Sequence, residues 1–143
     1  MFEQFVYSLE TQLMKLGQRL WSPDARSRQF EEADDLIGRL QKRQELLSRS
    51  QCELDAARRR ITSNRTSEAL LVSQIESCVH RGVPQQAYPH ALELDRVRQA
   101  LAEDQTALPR IEQRCWSLQF QVRQLERQLA RVQEAIYCGR TQG

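Results

Sequence analysis

Glycine and proline are scarce in this chain, with 5 Gly and 4 Pro in 143 residues. These residues punctuate turns, so their scarcity leaves little material for strand hairpins or long loops and points to an all-α chain. Lysine is nearly absent: Lys15 and Lys42 are the only two, and Arg supplies the rest of the 21 basic residues. Against 19 acidic residues the formal net charge is +2, with both signs interspersed, which excludes the basic footprint of a nucleic-acid binder. Cys52, Cys78, Cys115 and Cys138 form no Cys-x-x-Cys. That spacing argues against a zinc site or redox motif and fits free thiols in a reducing compartment. The sequence contains no apolar run of about 18 residues and no basic leader followed by an apolar stretch. A cytoplasmic location is therefore expected, with at most a peripheral hold on the inner face of the cell membrane.

What the chain has in abundance is heptad order. Leu94, Leu101, Leu108, Cys115, Val122, Leu129 and Ile136 fall at strict sevens, and Val97, Asp104, Ile111, Leu118, Leu125 and Val132 form a second series between them. The alternating spacing of three and four is the seam of a coiled coil, broken only at Asp104. A seam of this length needs a partner helix. It is supplied by Ala33, Leu40, Leu47, Leu54, Ile61, Glu68 and Ile75, joined by Phe30, Ile37, Ala57, Leu71 and Cys78, with polar residues at Arg43, Ser50 and Asn64. Gly82, Pro84 and Pro89 crowd between the two series and mark the reversal.

The reading is a long antiparallel helical hairpin, with arms at about 23–81 and 89–138 and a turn at 82–88, so that residues 22–143 form one unit. A short amphipathic helix precedes it over residues 1–21. Its apolar stripe is Phe2, Phe5, Val6, Leu9, Leu13 and Leu16, and Ser22-Pro23-Asp24 reads as the cap and first turn of the next helix. Pro109 is expected to kink the last helix without stopping it, because the heptads continue in phase.

With the fold point near Gln85, Leu54 falls opposite Cys115 to Leu118, Leu40 opposite Leu129, and Asn64 and Glu68 opposite Leu101 to Asp104. Asn64, Glu68 and Asp104 then form either a polar layer that sets the register or a solvated gap. Leu36, Leu46, Leu70, Trp116, Phe120 and Tyr137 fall off the seam. Left in water they would form apolar patches, so either the N-terminal helix or another chain, a homo-oligomer or a partner coiled coil, is expected to cover them.

Catalytic chemistry is missing. No nucleophile and base pair, phosphate loop or carboxylate pair is present, and a two-stranded hairpin offers no deep pocket, so a non-enzymatic protein without cofactor or metal is expected. His80 and His90, with Cys78 nearby, fall short of a metal's ligand count and read as loop histidines. Arg58-Arg59-Arg60 points in three directions around a helix and reads as a solvated face rather than a phosphate site. The N-terminal stripe suits insertion at a bilayer surface, yet packing in the bundle or against another chain explains it equally.

A short amphipathic helix, a Pro-containing break and a long antiparallel hairpin resemble the phage-shock-protein A family, bacterial relatives of the ESCRT-III membrane-remodelling proteins. Arg81-Gly82, Ala87 and Ala91-Leu92 are similar to that family's basic-Gly, Ala, Ala-Leu pattern at the start of the returning helix, with Pro84 and Pro89 in place of acidic and polar residues. The resemblance implies a peripheral membrane-remodelling or membrane-stress protein that oligomerises. The alternative is a cytoplasmic scaffold or adaptor that self-associates or binds partner helices without touching lipid.

Overall fold

Leu, Arg, Gln, Glu and Ala dominate residues 25–141, and these are strong helix formers with little to interrupt them. The computed structural model describes this stretch. The expected helix over 1–21, with its stripe Phe2, Phe5, Val6, Leu9, Leu13 and Leu16, lies outside the described residues, as does the cap at Ser22-Pro23-Asp24. Helix α1 is Ala25–His80, a single 3₁₀ turn follows at Pro84–Ala87, and α2 is Tyr88–Thr141. Only residues 81–83 of the described stretch are not helical, and no strand occurs in it. The fold is an all-α antiparallel helical hairpin.

Local chemistry makes the turn. Gly82 has φ +73°, a left-handed conformation that a side chain would strain, and it stands one residue beyond the helix cap. The Gly82 N–H donates to Val79 O at 3.1 Å and the Val83 N–H to Cys78 O at 3.0 Å, which closes α1 with a Schellman motif. Pro84, which lacks an N–H, opens the 3₁₀ turn, where no donor is needed. Tyr88 then donates its N–H to Gln85 O and is already in helical geometry, so α2 begins at once.

By contact the chain divides into two compact units, which are described separately. The turn unit, Leu47–Ser117, is cored by Ile61, Leu71, Leu94, Val97 and Leu101, with Val72, Ile75 and Leu108 packed against them. Each such aliphatic side chain, when fully buried, stabilises by roughly 1.5 to 3 kcal/mol. Every member except Val72 stands at a seam position read from the heptads. Thr62, Thr66 and Thr106 satisfy their hydroxyls locally, each donating to the carbonyl four residues back. Helix α2 continues through Pro109, whose ring removes the hydrogen bond to Gln105 O. Gln105 is exposed, so its carbonyl is open to water.

The open-end unit comprises residues 25–46 and 118–141 of the described stretch. Ala33, Leu36, Ile37, Leu40, Leu118, Val122, Leu129 and Ile136 are buried here, and Leu40 and Leu129 are the largest side chains fully removed from solvent. Leu36 corrects the sequence reading. Placed off the seam, it is only 5% exposed. It lies three residues after Ala33 and four before Leu40, so the buried stripe of α1 here is wider than a strict two-position seam.

Register is the larger correction. In the turn unit Cys115 faces Ser50, with the thiol donating to the hydroxyl at 3.2 Å, where the heptads placed Leu54 opposite it. The displacement is four residues, one helical turn. It follows from the turn, because the Schellman closure and the single 3₁₀ turn centre the reversal near Val83 rather than Gln85.

Candidate interaction surface

The three residues read as either a polar layer or a solvated gap are in the turn unit, and no hydrogen bond joins them to one another. Asp104 faces Arg60, whose Nη2 lies 3.3 Å from Oδ1 and whose Nε lies 3.4 Å from both carboxylate oxygens. Glu68 instead accepts from Arg98 Nε at 3.3 Å. Asn64 is half-buried and bonds to neither acid. The one-turn displacement is the reason: each acid meets a residue one turn from its expected neighbour.

Two further pairs cross between the arms of this unit, Arg114 to Glu53 at 3.3 Å and Arg58 to Glu112 at 3.6 Å. Arg58 and Arg60, read from sequence as part of a solvated run, therefore reach the opposite helix. The Asp104 side chain is 18% exposed, the most covered of these acids, and the other pairs sit in water where each contributes a few tenths of a kcal/mol. A buried hydroxyl needs a partner, and Ser50 at a polar seam position finds it in the Cys115 thiol. Position 50 and the cross-arm pairs were missed as contacts because heptad spacing marks a face without fixing the opposite residue.

The outward faces of the turn unit carry apolar side chains that nothing in the unit covers. Trp116 is 76% exposed, Tyr88 67% and Leu70 60%, with Val79 and Leu92 exposed to a similar degree. Leu70 and Trp116 were expected from their off-seam positions. Val79, Tyr88 and Leu92 were missed, although Tyr88 and Leu92 are four apart and share a helix face. A shallow groove along α1 is lined by Ser73, Ile75, Glu76, Ser77, Val79 and His80. His80 is exposed and His90 half-buried. Among the described residues no group of three or more His, Cys, Asp or Glu could hold a metal, and no helix is long and apolar enough to cross a membrane.

In the open-end unit Leu46, Phe120 and Tyr137 are exposed, as their off-seam positions imply. One stretch of groove runs between Arg39, Lys42, Arg43 and Leu46 of α1 and Gln121, Gln124, Leu125 and Gln128 of α2, enclosing about 440 Å³. A second stretch, lined by Glu32, Asp35, Leu36, Arg39, Gln128, Arg131 and Val132, shares Arg39 and Gln128 with it. Asp35 and Arg39 pair along α1 at 3.8 Å. No protein-family model, curated protein or solved structure matches this chain.

Proposed function

We propose that the chain is a non-enzymatic interaction protein whose hairpin presents apolar side chains to helices of a partner protein. The observation that carries this reading is the exposure of Trp116, Tyr88, Leu70, Val79 and Leu92 within the turn unit. Large apolar groups left in water on several faces of a small unit mark interaction surfaces, and Trp and Tyr are the side chains that most often anchor such contacts. Within the turn unit four ion pairs link the two arms. The peripheral membrane role implied by the resemblance to the phage-shock-protein A family depends on the stripe Phe2, Phe5, Val6, Leu9, Leu13 and Leu16, so lipid is a separate arm of the test.

Photo-crosslinking in the cells that make the protein provides that test, with benzoylphenylalanine introduced at Trp116 and, as control, at the exposed Arg59. A discrete protein adduct at 116 and none at 59 supports the reading. Adducts to lipid alone at 116, with the full chain sedimenting with phosphatidylethanolamine and phosphatidylglycerol vesicles and residues 22–143 failing to do so, would replace it with the membrane reading.

A further inference from the structure

We infer that the groove of the open-end unit is a self-association surface, and that its occupant is the same groove of a second copy turned antiparallel about a two-fold axis. The inference uses no residue of the turn unit and stands apart from partner docking there. Glu32, Asp35, Arg39, Lys42 and Arg43 follow one another at helical spacing along a single stripe of α1, and all five line the groove. Their charges are sorted: the two acids come first and the three bases follow within the next turns. The two stretches share Arg39 and Gln128, so the acids and bases of α1 line one continuous trough, with Arg131 of α2 on the opposite wall beside the acids.

A surface sorted in this way is complementary to itself when reversed. A two-fold axis between Asp35 and Arg39 sets Asp35 of each copy against Arg39 of the other, and Glu32 against Lys42 and Arg43. This is the isologous arrangement of a closed dimer. Little has to be given up within the chain. The Asp35 and Arg39 side chains are 70% and 63% exposed, so their mutual pair is weak, and Lys42 and Arg43 make no ion pair among the described residues. Leu46, beside the bases, is 43% exposed and adds apolar area to the contact.

Sedimentation velocity of the full chain tests this, with charge reversals on each half. The wild-type chain is expected to sediment as a dimer at roughly 10 to 100 µM in low salt, with the dimer weakening as salt rises past about 0.15 M. E32K/D35K and R39E/K42E/R43E are each expected to weaken dimerisation at least about tenfold, and an equimolar mixture of the two is expected to recover a dimer. Recovery on mixing separates charge complementarity from damage to the fold. Should either reversal lose helical ellipticity, E32Q/D35Q and R39Q/K42Q/R43Q serve as the neutral pair and must each weaken the dimer. A monomeric wild type, a dimer untouched by both substitutions, or reversed chains that stay apart when mixed would overturn the assignment.

Discussion

The two units are built from the same two helices and both are cored by aliphatics, yet among the described residues only the turn unit adds ion pairs between its arms. In the turn unit four ion pairs cross between the arms, Glu53 to Arg114, Arg58 to Glu112, Arg60 to Asp104 and Glu68 to Arg98, and a thiol meets a hydroxyl at Cys115 and Ser50. In the open-end unit no ion pair crosses between the arms among the described residues, and burial rests on aliphatics headed by Leu40 and Leu129. Leucine supplies burial energy but is indifferent to a slip of one turn, whereas a charge pair names its partner. Specificity of register therefore lies in the turn unit, and the open-end unit keeps its charges on the groove.

The strongest way to test that contrast is to tie the register covalently. Ser50→Cys, facing Cys115, is expected to form an inter-arm disulfide on mild oxidation and to raise stability by about 4 kcal/mol through loop closure, whereas Leu54→Cys forms none with Cys115. Peptide mapping under non-reducing conditions and urea melts read both. Next in size, Leu129→Ala removes a fully buried side chain and is expected to cost about 3 kcal/mol in urea unfolding. Its effect on amide exchange should concentrate in residues 25–46 and 118–141. If protection falls equally in the turn unit, the two units do not differ in what holds them.

Gly82→Ala should destabilise by about 1 to 2 kcal/mol, because the added Cβ must enter the left-handed region although nothing crowds it in space. A smaller loss would mean that the turn relaxes to another closure. The smallest effect belongs to the charges. A double-mutant cycle on Arg60 and Asp104 should give a coupling of up to about 1 kcal/mol, and one on Glu53 and Arg114 only a few tenths, because the latter side chains are both more than half exposed. Equal couplings would remove the special place of Asp104.

Much of the fold was legible in sequence because heptad spacing is a direct image of helix geometry. Of the stripe Leu94, Leu101, Leu108, Cys115, Val122, Leu129 and Ile136, all are buried except Leu108, which is half-buried. The turn was legible too, since Gly82 and Pro84, two residues apart, have few other uses in a helical chain. Register was not. A displacement of four residues leaves every seam residue on the seam, so hydrophobic spacing scores Leu54 and Ser50 as equal partners for Cys115, and only the closure at Gly82 and Val83 decides between them. The same shift gives Asp104 and Glu68 the partners Arg60 and Arg98. Leu36 was misplaced for another reason, namely that a two-position seam understates how wide a stripe a globular helix buries. The sorted charges of α1 were present as Glu32, Asp35, Arg39, Lys42 and Arg43, but interspersed signs along a helix read as ordinary solvation until the opposite wall of Gln121, Gln124, Gln128 and Arg131 is seen.

The closure at Gly82 also bears on the order in which the chain folds. Contacts beside it, such as Cys78 with Val83, join residues that are neighbours in sequence, whereas contacts of the open-end unit join residues separated by most of the described chain. The entropy lost in closing a loop rises with the logarithm of its length, so the first contacts at the tip form at a cost about 2 kcal/mol below that of a direct meeting between the far ends. Once the tip is set, each successive pair of turns closes only a short additional loop, and the hairpin zips outward from Gly82. Substitutions there should slow refolding, while Leu129→Ala should leave the refolding rate nearly untouched and act by hastening unfolding. Gly82 is therefore expected to belong to the folding nucleus, and the refolding rates of Gly82→Ala and Leu129→Ala check it.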